Sequence, residues 1–316
     1  MVDCRPFRNS DPPHLVRVWE EARQNQPSIR KMTLELLDEL IFSKPYFDPE
    51  GLMVAVANQE PVGFAHAGFG PSEDLSRLDP RCGVIAAVAV PQGPDQASIA
   101  AQLLQRCEQY LHQRGADQIH ALGHGKMSPF YTGLYGGSDL PGVLVSDIQR
   151  LAFFREQGYQ EVDQLYVYRR DLSGFRPKVD RVQVQLRRTM TVEVVADVAP
   201  TSWWEACTKS FYEQIRAQIR PKAGGPCVAT AVFWNMELLA ASWDFRRTVG
   251  LGQIQVQPGD QQAEIACVLI GEALRQLSDK GFASVDGQAG QHDTDTQRLF
   301  AALEIPQIDT GLLLCK

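Results

Sequence analysis

Two helix-forming stretches in this chain, QASIAAQLLQRCEQYLHQRGA and QAEIACVLIGEALRQLSDKGF, carry one apolar frame. Laying Ile99 on Ile265 also lays Ala100 on Ala266, Leu103 on Leu269, Leu104 on Ile270, Cys107 on Ala273, Leu111 on Leu277 and Gly115 on Gly281. Upstream, the same alignment puts Val90 on Val256, each closing an apolar run. Further on, laying Asp147 on Asp293 puts Phe153-Phe154 on Leu299-Phe300 and Gln157 on Leu303. Any two amphipathic helices share a 3.6-residue period, so one matched helix proves little. Matched flanking strands, stops and a second helix do not follow from period alone, and the chain reads as a tandem duplication. The length agrees, since 316 residues exceed one ordinary core of about 100–200.

Composition narrows the class. Apolar residues at 44% and charged residues at 22% describe a soluble globular chain that buries real cores. The net charge of −7 argues against a nucleic-acid partner, which needs a basic stripe for the phosphates, while leaving room for a local basic pocket. Seven cysteines lie scattered with no CxxC or Cys/His spacing, the pattern of reduced thiols in a cytoplasmic protein with no metal site. The start, MVDCRPFRNSDPPH, lacks the apolar core of a signal peptide. The longest apolar run, Val84 to Val90, is far short of the roughly 20 residues that span a bilayer, so no membrane partner is expected.

The local pattern predicts a helix from Asp11-Pro12-Pro13 to about Gln24 and a second from about Thr33 to Phe42. Strands are predicted at Leu52–Asn58 and Val62–Phe69 around the turn Gln59-Glu60-Pro61. Gly83–Val90 is apolar throughout, as in a strand buried on both faces. The helix containing Ile99 to Leu111 follows, then a strand at Ile119–Leu122, a long loop, a short helix ending at Gly158, and a strand at Leu165–Tyr168. Ser173-Gly174-Phe175-Arg176-Pro177 breaks both periodicities and reads as a linker. The expected division is residues 1–172, a linker at 173–181, and residues 182–316.

A buried strand ending in valine and proline, a tight loop, and a helix opening on small residues resembles the first signature of the GNAT-type N-acetyltransferases: Val-x-Pro, then Arg/Gln-x-x-Gly-x-Gly/Ala. The second copy reads Val256-Gln257-Pro258 and Gln261-Gln262-Ala263-Glu264-Ile265-Ala266, and the first reads Val90-Pro91-Gln92 and Asp95-Gln96-Ala97-Ser98-Ile99-Ala100. That family's later signature, Asn-x-x-Ala then Leu-Tyr-x-x-x-Gly-Phe, is matched by Asp147 with Phe153-Phe154-Arg155-Glu156-Gln157-Gly158-Tyr159, and by Asp293 with Leu299-Phe300. The resemblance implies an α/β (α+β) protein of two tandem GNAT-like domains, each a mixed, mostly antiparallel sheet flanked by helices. It also implies acetyl-CoA or another acyl-CoA as cofactor and an amine of a small molecule or peptide as acceptor. The two copies would form a pseudo-dimer within one chain, which needs no second chain. Carried over residue by residue, it places the cofactor along Val88, Ala89 and Val90, at the helix start Gln96, Ala97, Ser98, Ile99 and Ala100, and beside Asp147 and Phe154. The physics is that of a helix N-terminus, whose unpaired N–H groups and partial positive charge suit a pyrophosphate. Pantetheine would insert beside the strand as an added strand.

The departures carry information too. Asp95 stands where the pattern has Arg or Gln, and Glu264 where it has Gly. A carboxylate about 5 Å from a phosphate costs on the order of 3 kcal/mol at an effective dielectric of 20. Asp95 reads equally as a helix cap that replaces the ligand or as one that coexists with it. Glu264 is bulkier at the point of closest approach, which makes the first copy the better cofactor site and the second a structural partner. The tyrosine that would protonate the departing thiolate is Phe154 in one copy and Phe300 in the other. Tyr131, Tyr135 and Tyr159 could replace it, or could simply pack.

Residues 128 to 147 form a loop found in the first copy, with Gly133, Gly136, Gly137 and Gly142 between Phe130, Tyr131 and Tyr135. It reads as a wall or lid on the acceptor side, or as a loop covering the cleft between the halves. His120 and His124, around the strand after the cofactor helix, are candidates for a general base or for structural histidines. The expected catalytic set is thus His120, His124, Tyr131 and Tyr135. Trp203, Trp204, Trp234 and Trp243 read as core and interdomain aromatics of the second half. Two functions remain open: an acyl-CoA-dependent N-acyltransferase, and a non-catalytic binding or scaffolding protein with decayed grooves.

Overall fold

The chain begins with a short strand β1 (Asp3–Pro6) and helix α1 (Pro12–Ala22), tied together by Asp11. Asp11 is buried, takes two hydrogen bonds at 2.8 Å from the Arg5 guanidinium, and takes a third at 2.8 Å from the Arg8 amide. The proline pair then sits in the first turn, where a missing N–H costs nothing. The computed structural model describes residues 2–24, 29–177, 180–196, 199–239 and 247–316. Helix α2 (Leu34–Leu37) is capped by the Thr33 hydroxyl and runs on into one wider turn through Phe42. Strands β2 (Leu52–Ala57), β3 (Glu60–Pro71) and β4 (Leu78–Ala89) form an antiparallel meander. The turn into β3 is Asn58-Gln59, both at positive φ, rather than Gln59–Pro61, because a two-residue turn of that handedness matches strand twist. β4 starts five residues before Gly83, since the charged residues Asp79 and Arg81 mask its beginning.

Helix α3 (Gln96–Gln113), strand β5 (Gln118–Ala121), the two-residue β6 (Val143–Leu144), helix α4 (Ile148–Glu156) and strand β7 (Gln160–Asp171) complete the first half. The second half runs α5 (Arg181–Thr189), β8 (Met190–Ala196), α6 (Trp203–Lys209), β9 (Gln214–Pro221), β10 (Ala229–Asn235), β11 (Thr248–Val256), α7 (Gln262–Asp279), β12 (Ser284–Gly290), α8 (Thr294–Ala302) and β13 (Gln307–Cys315). The duplication is plain in the structure. α3 and α7 each have 18 residues, and each follows a strand that pairs in parallel with the next strand. Asp147 and Asp293 cap α4 and α8 at nearly equal angles, φ −90° ψ 69° and φ −85° ψ 70°, each accepting from the amide three residues on.

Two compact units result: residues 1–164 with 200–211 and 310–316, and residues 165–199 with 212–309. Each is a mixed, mostly antiparallel sheet with helices against it. The first has the strand order β1-β2-β3-β4-β5-β13, the second β7-β12-β11-β10-β9-β8. These units do not follow the contiguous division at residues 1–172 and 182–316. Leu165–Asp171 of β7 pairs with β12, while Cys315 of β13 pairs with His120 of β5, and Ile119 and Lys316 exchange two backbone hydrogen bonds. Each sheet is therefore completed by a strand from the other half of the sequence. The stretch expected as a linker is packed instead: Leu172 and Phe175 belong to the core of the second unit. Lys178 and Val179 lie outside the described residues.

Helix α6 also changes sides relative to the sequence order. Trp204 stacks on Tyr46 with ring centroids 5.3 Å apart, and its amide donates to the Leu75 carbonyl, so Trp203 and Trp204 belong to the first unit. Trp234 is a core residue of the second unit, 4.2 Å from Tyr212 centroid to centroid; Trp243 lies outside the described residues. Among the described residues no helix is long and apolar enough to cross a membrane.

Candidate functional site

In the first unit β4 and β5 pair in parallel only from Cys82/Gln118 to Ile85/Ala121. The Leu122 amide closes the last rung on the Ile85 carbonyl at 2.7 Å, and Leu122 and Gly123, both at positive φ, then turn the chain away. β4 continues to Ala89, held on its other side by β3 through Ala65/Val88 and Phe64/Ala89. Past Ile85 no strand among the described residues pairs with that edge, leaving main-chain donors and acceptors in a splayed sheet. Next to it starts α3. Its cap residue Asp95 makes no side-chain capping bond, so the reading of Asp95 as a cap that consumes the helix donors does not hold. Gln96 instead turns back, its Nε2 donating to the Val90 carbonyl at 3.1 Å.

Helix α4 forms the facing wall. Gln149, Arg150, Ala152, Phe153 and Glu156 share one face of it, and with Ala22, Val88, Val90, Gln96, Ala97 and Ala100 they line a cavity of about 270 Å³. A far smaller pocket of about 10 Å³ adjoins, lined by Trp19, Ala22, Arg23, Ile29, Val88, Ala89 and Arg150. Gln96, Gln149, Arg150 and Glu156 bring polar groups to the cavity, and Trp19, Ile29 and Ala89 bring apolar ones to the pocket beside Arg23 and Arg150.

Of the residues expected at a cofactor, Val88, Val90, Gln96, Ala97 and Ala100 line the cavity and Ala89 the pocket. Ser98 is exposed and takes a hydrogen bond from Gln102, while Ile99 faces the core. Asp147 caps α4 and pairs with Arg150 at 2.5 Å. Phe154 is fully buried, edge-on to Tyr159 at 5.1 Å, and Phe153 lines the cavity in its place. Adjacent helical positions differ by about 100° in direction, so of the two rings Phe153 faces the cavity and Phe154 the core. Gln149, Arg150 and Phe153 were legible in principle, because the Asp147 cap sets the helix phase.

The four catalytic candidates separate into two pairs. His120 and His124 have ring centroids 5.5 Å apart. Burial lowers both pKa values, that of His124 to about 4 with help from His120, so the rings are neutral near pH 7; His120 Nδ1 is buried without a hydrogen-bond partner. Tyr131 and Tyr135 pack around Trp19 instead: Tyr131 stacks at 5.6 Å with planes 4° apart, and Tyr135 meets the indole edge-on at 5.5 Å. Burial raises both phenols above their ordinary range. Among the described residues the Tyr135 hydroxyl has no hydrogen-bond partner, and the Arg150 guanidinium lies 5.3 Å from its ring centroid. Sequence reasoning missed His66 on β3, which is fully buried, stacks on Phe130 at 4.2 Å, and has Nδ1 3.2 Å from the Tyr131 hydroxyl. Burial lowers its pKa to about 3. An apolar strand holding one histidine offered no signal for that pair.

The loop expected as a wall or lid is interior. Residues 128–138 are buried without exception, and Phe130, Tyr131 and Tyr135 fill the first unit between α1 and β3. Tyr131 adopts φ +60°, a left-handed conformation that costs a non-glycine residue about 1 kcal/mol or more. Among the described residues no group of three or more His, Cys, Asp or Glu could hold a metal ion.

The second unit keeps the same splay. β11 pairs with β12 only from Thr248/Ser284 to Gly250/Asp286 yet runs on to Val256, and Glu264 occupies the first turn of α7. Phe300 packs against Gly287, where an added Cβ would fall 2.8 Å from the ring, and sits 4.5 Å from Tyr168.

The acetyltransferase (GNAT) family model matches residues 15–131, the stretch that carries α1 and the β4–α3 turn. No functionally curated protein matches the sequence. Among solved structures, a tandem GNAT protein from the clavulanic acid biosynthesis pathway superposes over 100% of this chain and 98% of its own, with TM-score 0.69 and 12% identity. A GCN5-related N-acetyltransferase from Sphaerobacter thermophilus gives TM-score 0.62 at 13% identity, covering 100% and 95%. The GCN5-related glucosamine N-acetyltransferase region of a fungal multi-domain GH3 β-N-acetylglucosaminidase gives TM-score 0.70 at 14% identity; it covers all of this chain, which spans only 38% of that protein. The fold is a tandem GNAT-type acetyltransferase fold.

Proposed function

We propose that the first unit binds an acyl-CoA, acetyl-CoA in the simplest case, and transfers its acyl group to an amine of a small molecule or peptide. One observation carries this reading: the unpaired edge of β4 meets the uncapped start of α3 across a cavity walled by Ala97 and Ala100. The donor fits that arrangement. Amides of a pantetheine arm would pair with the β4 main chain, and a diphosphate would sit on the first-turn N–H groups of α3. Neutral amine would attack the thioester carbonyl, held close and polarised by the strand N–H groups. Collapse of the tetrahedral adduct breaks the carbon–sulfur bond, and a proton must reach the departing thiolate. Tyr135 is the candidate donor, as its hydroxyl is buried, protonated and, among the described residues, without a partner. The neutral imidazoles of His120 and His124 are candidates to take the amine proton. In this reading the protein works in the cytoplasm, without nucleic acid or membrane, its two copies forming a pseudo-dimer in one chain.

Thermal unfolding with and without acetyl-CoA tests the reading. At about 100 times Kd the ligand should stabilise the protein by roughly 2.7 kcal/mol. No shift at millimolar acetyl-CoA or a longer acyl-CoA sinks it. A second reading, a binding protein with no turnover, is favoured by the burial of Phe154 away from the cavity. Stabilisation by acetyl-CoA without CoA release across a panel of amines would select it.

A further inference from the structure

The cavity beside the α3 start and the small pocket next to it share one side chain, Arg150. Arg23, at the C-terminal end of α1, borders the small pocket with it, next to Val88 and Ala89 at the end of β4. Gln96, Ala97 and Ala100 of α3 face the same cavity as Arg150. Two guanidiniums carried by two different helices therefore border the place where β4 hands over to α3. Among the described residues lining these two spaces, the one other charged side chain is Glu156. It is exposed and stands six residues beyond Arg150 on α4, about 9 Å further along the helix axis.

Both arginines are held in the same way. Nε and Nη2 of Arg23 donate to the Glu20 carboxylate at 2.9 and 2.6 Å, and Nη1 of Arg150 donates to Asp147 at 2.5 Å, each acid lying three residues earlier. Glu20 also accepts from the Met32 amide at 2.9 Å, and Asp147 from the Arg150 amide at 3.1 Å. The two arginine side chains are 20% and 13% exposed. Their rotamer entropy is lost on folding, so an arriving anion does not have to order them. A guanidinium carries five donors in a planar fork, and one that holds a carboxylate can also take a phosphate oxygen.

The repeat supplies an internal control. Asp293 caps α8 as Asp147 caps α4, but the residue three positions on is Thr296, so the cap alone does not call for an arginine there. The first turn of α7 contains Glu264, whereas that of α3 contains no acid. The first copy does place Asp95 immediately before α3, and an anion bound there needs a cation to offset that carboxylate.

We infer that Arg23 and Arg150 form a two-helix clamp for the diphosphate of the donor, supplying from α1 and α4 the positive charge that the Asp95 loop withholds. This rests on the acyl-CoA reading and deepens it: the α3 amides hold the diphosphate on one side and the two guanidiniums on the other. The clamp selects a donor by its anionic linker and is indifferent to the acyl group.

The experiment titrates three thioesters into the full chain by isothermal titration calorimetry. Acetyl-CoA carries the diphosphate and the ribose 3′-phosphate, acetyl-dephospho-CoA the diphosphate alone, and S-acetyl-pantetheine neither. Arg23→Gln and Arg150→Gln should each weaken the first two by about tenfold or more and leave S-acetyl-pantetheine within about twofold of wild type. Arg150→Lys keeps the pair with Asp147 in case the glutamine chain does not fold; it should lose affinity for the same two ligands, because an ammonium lacks the fork. Equal weakening of all three thioesters would mean that the arginines only shape the groove. Weakening of acetyl-CoA alone would move them to the 3′-phosphate, and a loss at one arginine without the other would break the two-helix clamp. If acetyl-CoA binds every variant as it binds wild type, the clamp is wrong and the donor reading stands. If acetyl-CoA does not bind wild type either, both fall together.

Discussion

Replacing Lys44 with methionine should stabilise the first unit near neutral pH. Lys44 is 6% exposed; its Nζ donates to the Cys207 carbonyl at 2.9 Å and lies 3.9 Å from the centre of the Phe211 ring. Burial lowers its pKa from 10.5 to about 8, against opposition from Glu39 and the Cys207 thiol. Each pKa unit is worth about 1.4 kcal/mol, so holding the charge at pH 7 costs the folded state about 3 kcal/mol. Methionine fills similar space without charge but leaves the Cys207 carbonyl without that donor, a loss of about 1–2 kcal/mol. The net expected gain is about 1–2 kcal/mol at pH 7. The sign follows from linkage: the unfolded chain takes up the proton near pH 10.5 and the folded one only near pH 8, so wild-type stability falls as pH drops through that window and is level below it. Urea unfolding followed by tryptophan fluorescence at pH 7 and at pH 10.5 or above measures both arms. The advantage of Lys44→Met should vanish or reverse at the higher pH. A variant less stable than wild type at pH 7 by the same margin as at pH 10.5 would refute the claim that burial of this charge is costly.

In the second unit, Gly287→Ala should cost about 1–3 kcal/mol, because the new Cβ would sit 2.8 Å from the buried Phe300 ring; a thermal unfolding midpoint equal to wild type would show that the ring yields freely. In the first unit, Tyr135→Phe removes a buried hydroxyl that has no partner among the described residues, so stability should hold or rise by about 1 kcal/mol. The rate of CoA release should fall about 100-fold if that hydroxyl protonates the thiolate, and an unchanged rate removes Tyr135 from the chemistry.

The fold was legible where it depends on local periodicity and on repetition. The paired frames of α3 and α7, and the matched caps Asp147 and Asp293, could be read because a helix writes its buried face and its first turn into neighbouring residues. Val88, Val90, Gln96, Ala97 and Ala100 could be named before any coordinates, since a strand followed at once by a helix must bring its end and that helix start together. Phe153 faces the cavity and Phe154 the core because the two differ by one step of helix rotation, a difference the motif spacing does not report. Arg150 was overlooked because an arginine beside a cap reads as surface charge until its exposure is known. The loop with Tyr131 and Tyr135 was read as a lid because glycine spacing reports chain reversal and says nothing of depth.

By itself the sequence determined the duplication, the strand–helix order within each copy, and the meeting of a buried strand's end with a helix start. Each of these follows from contacts between residues close in the chain or from one pattern occurring twice. Only the tertiary structure decided that Leu165–Asp171 completes the second sheet and Thr310–Lys316 the first, that α6 joins the first unit, and that His66 meets Tyr131. An apolar strand presents the same alternation to any edge that will pair with it, so its partner is chosen by long-range closure of the sheet and not by its own residues.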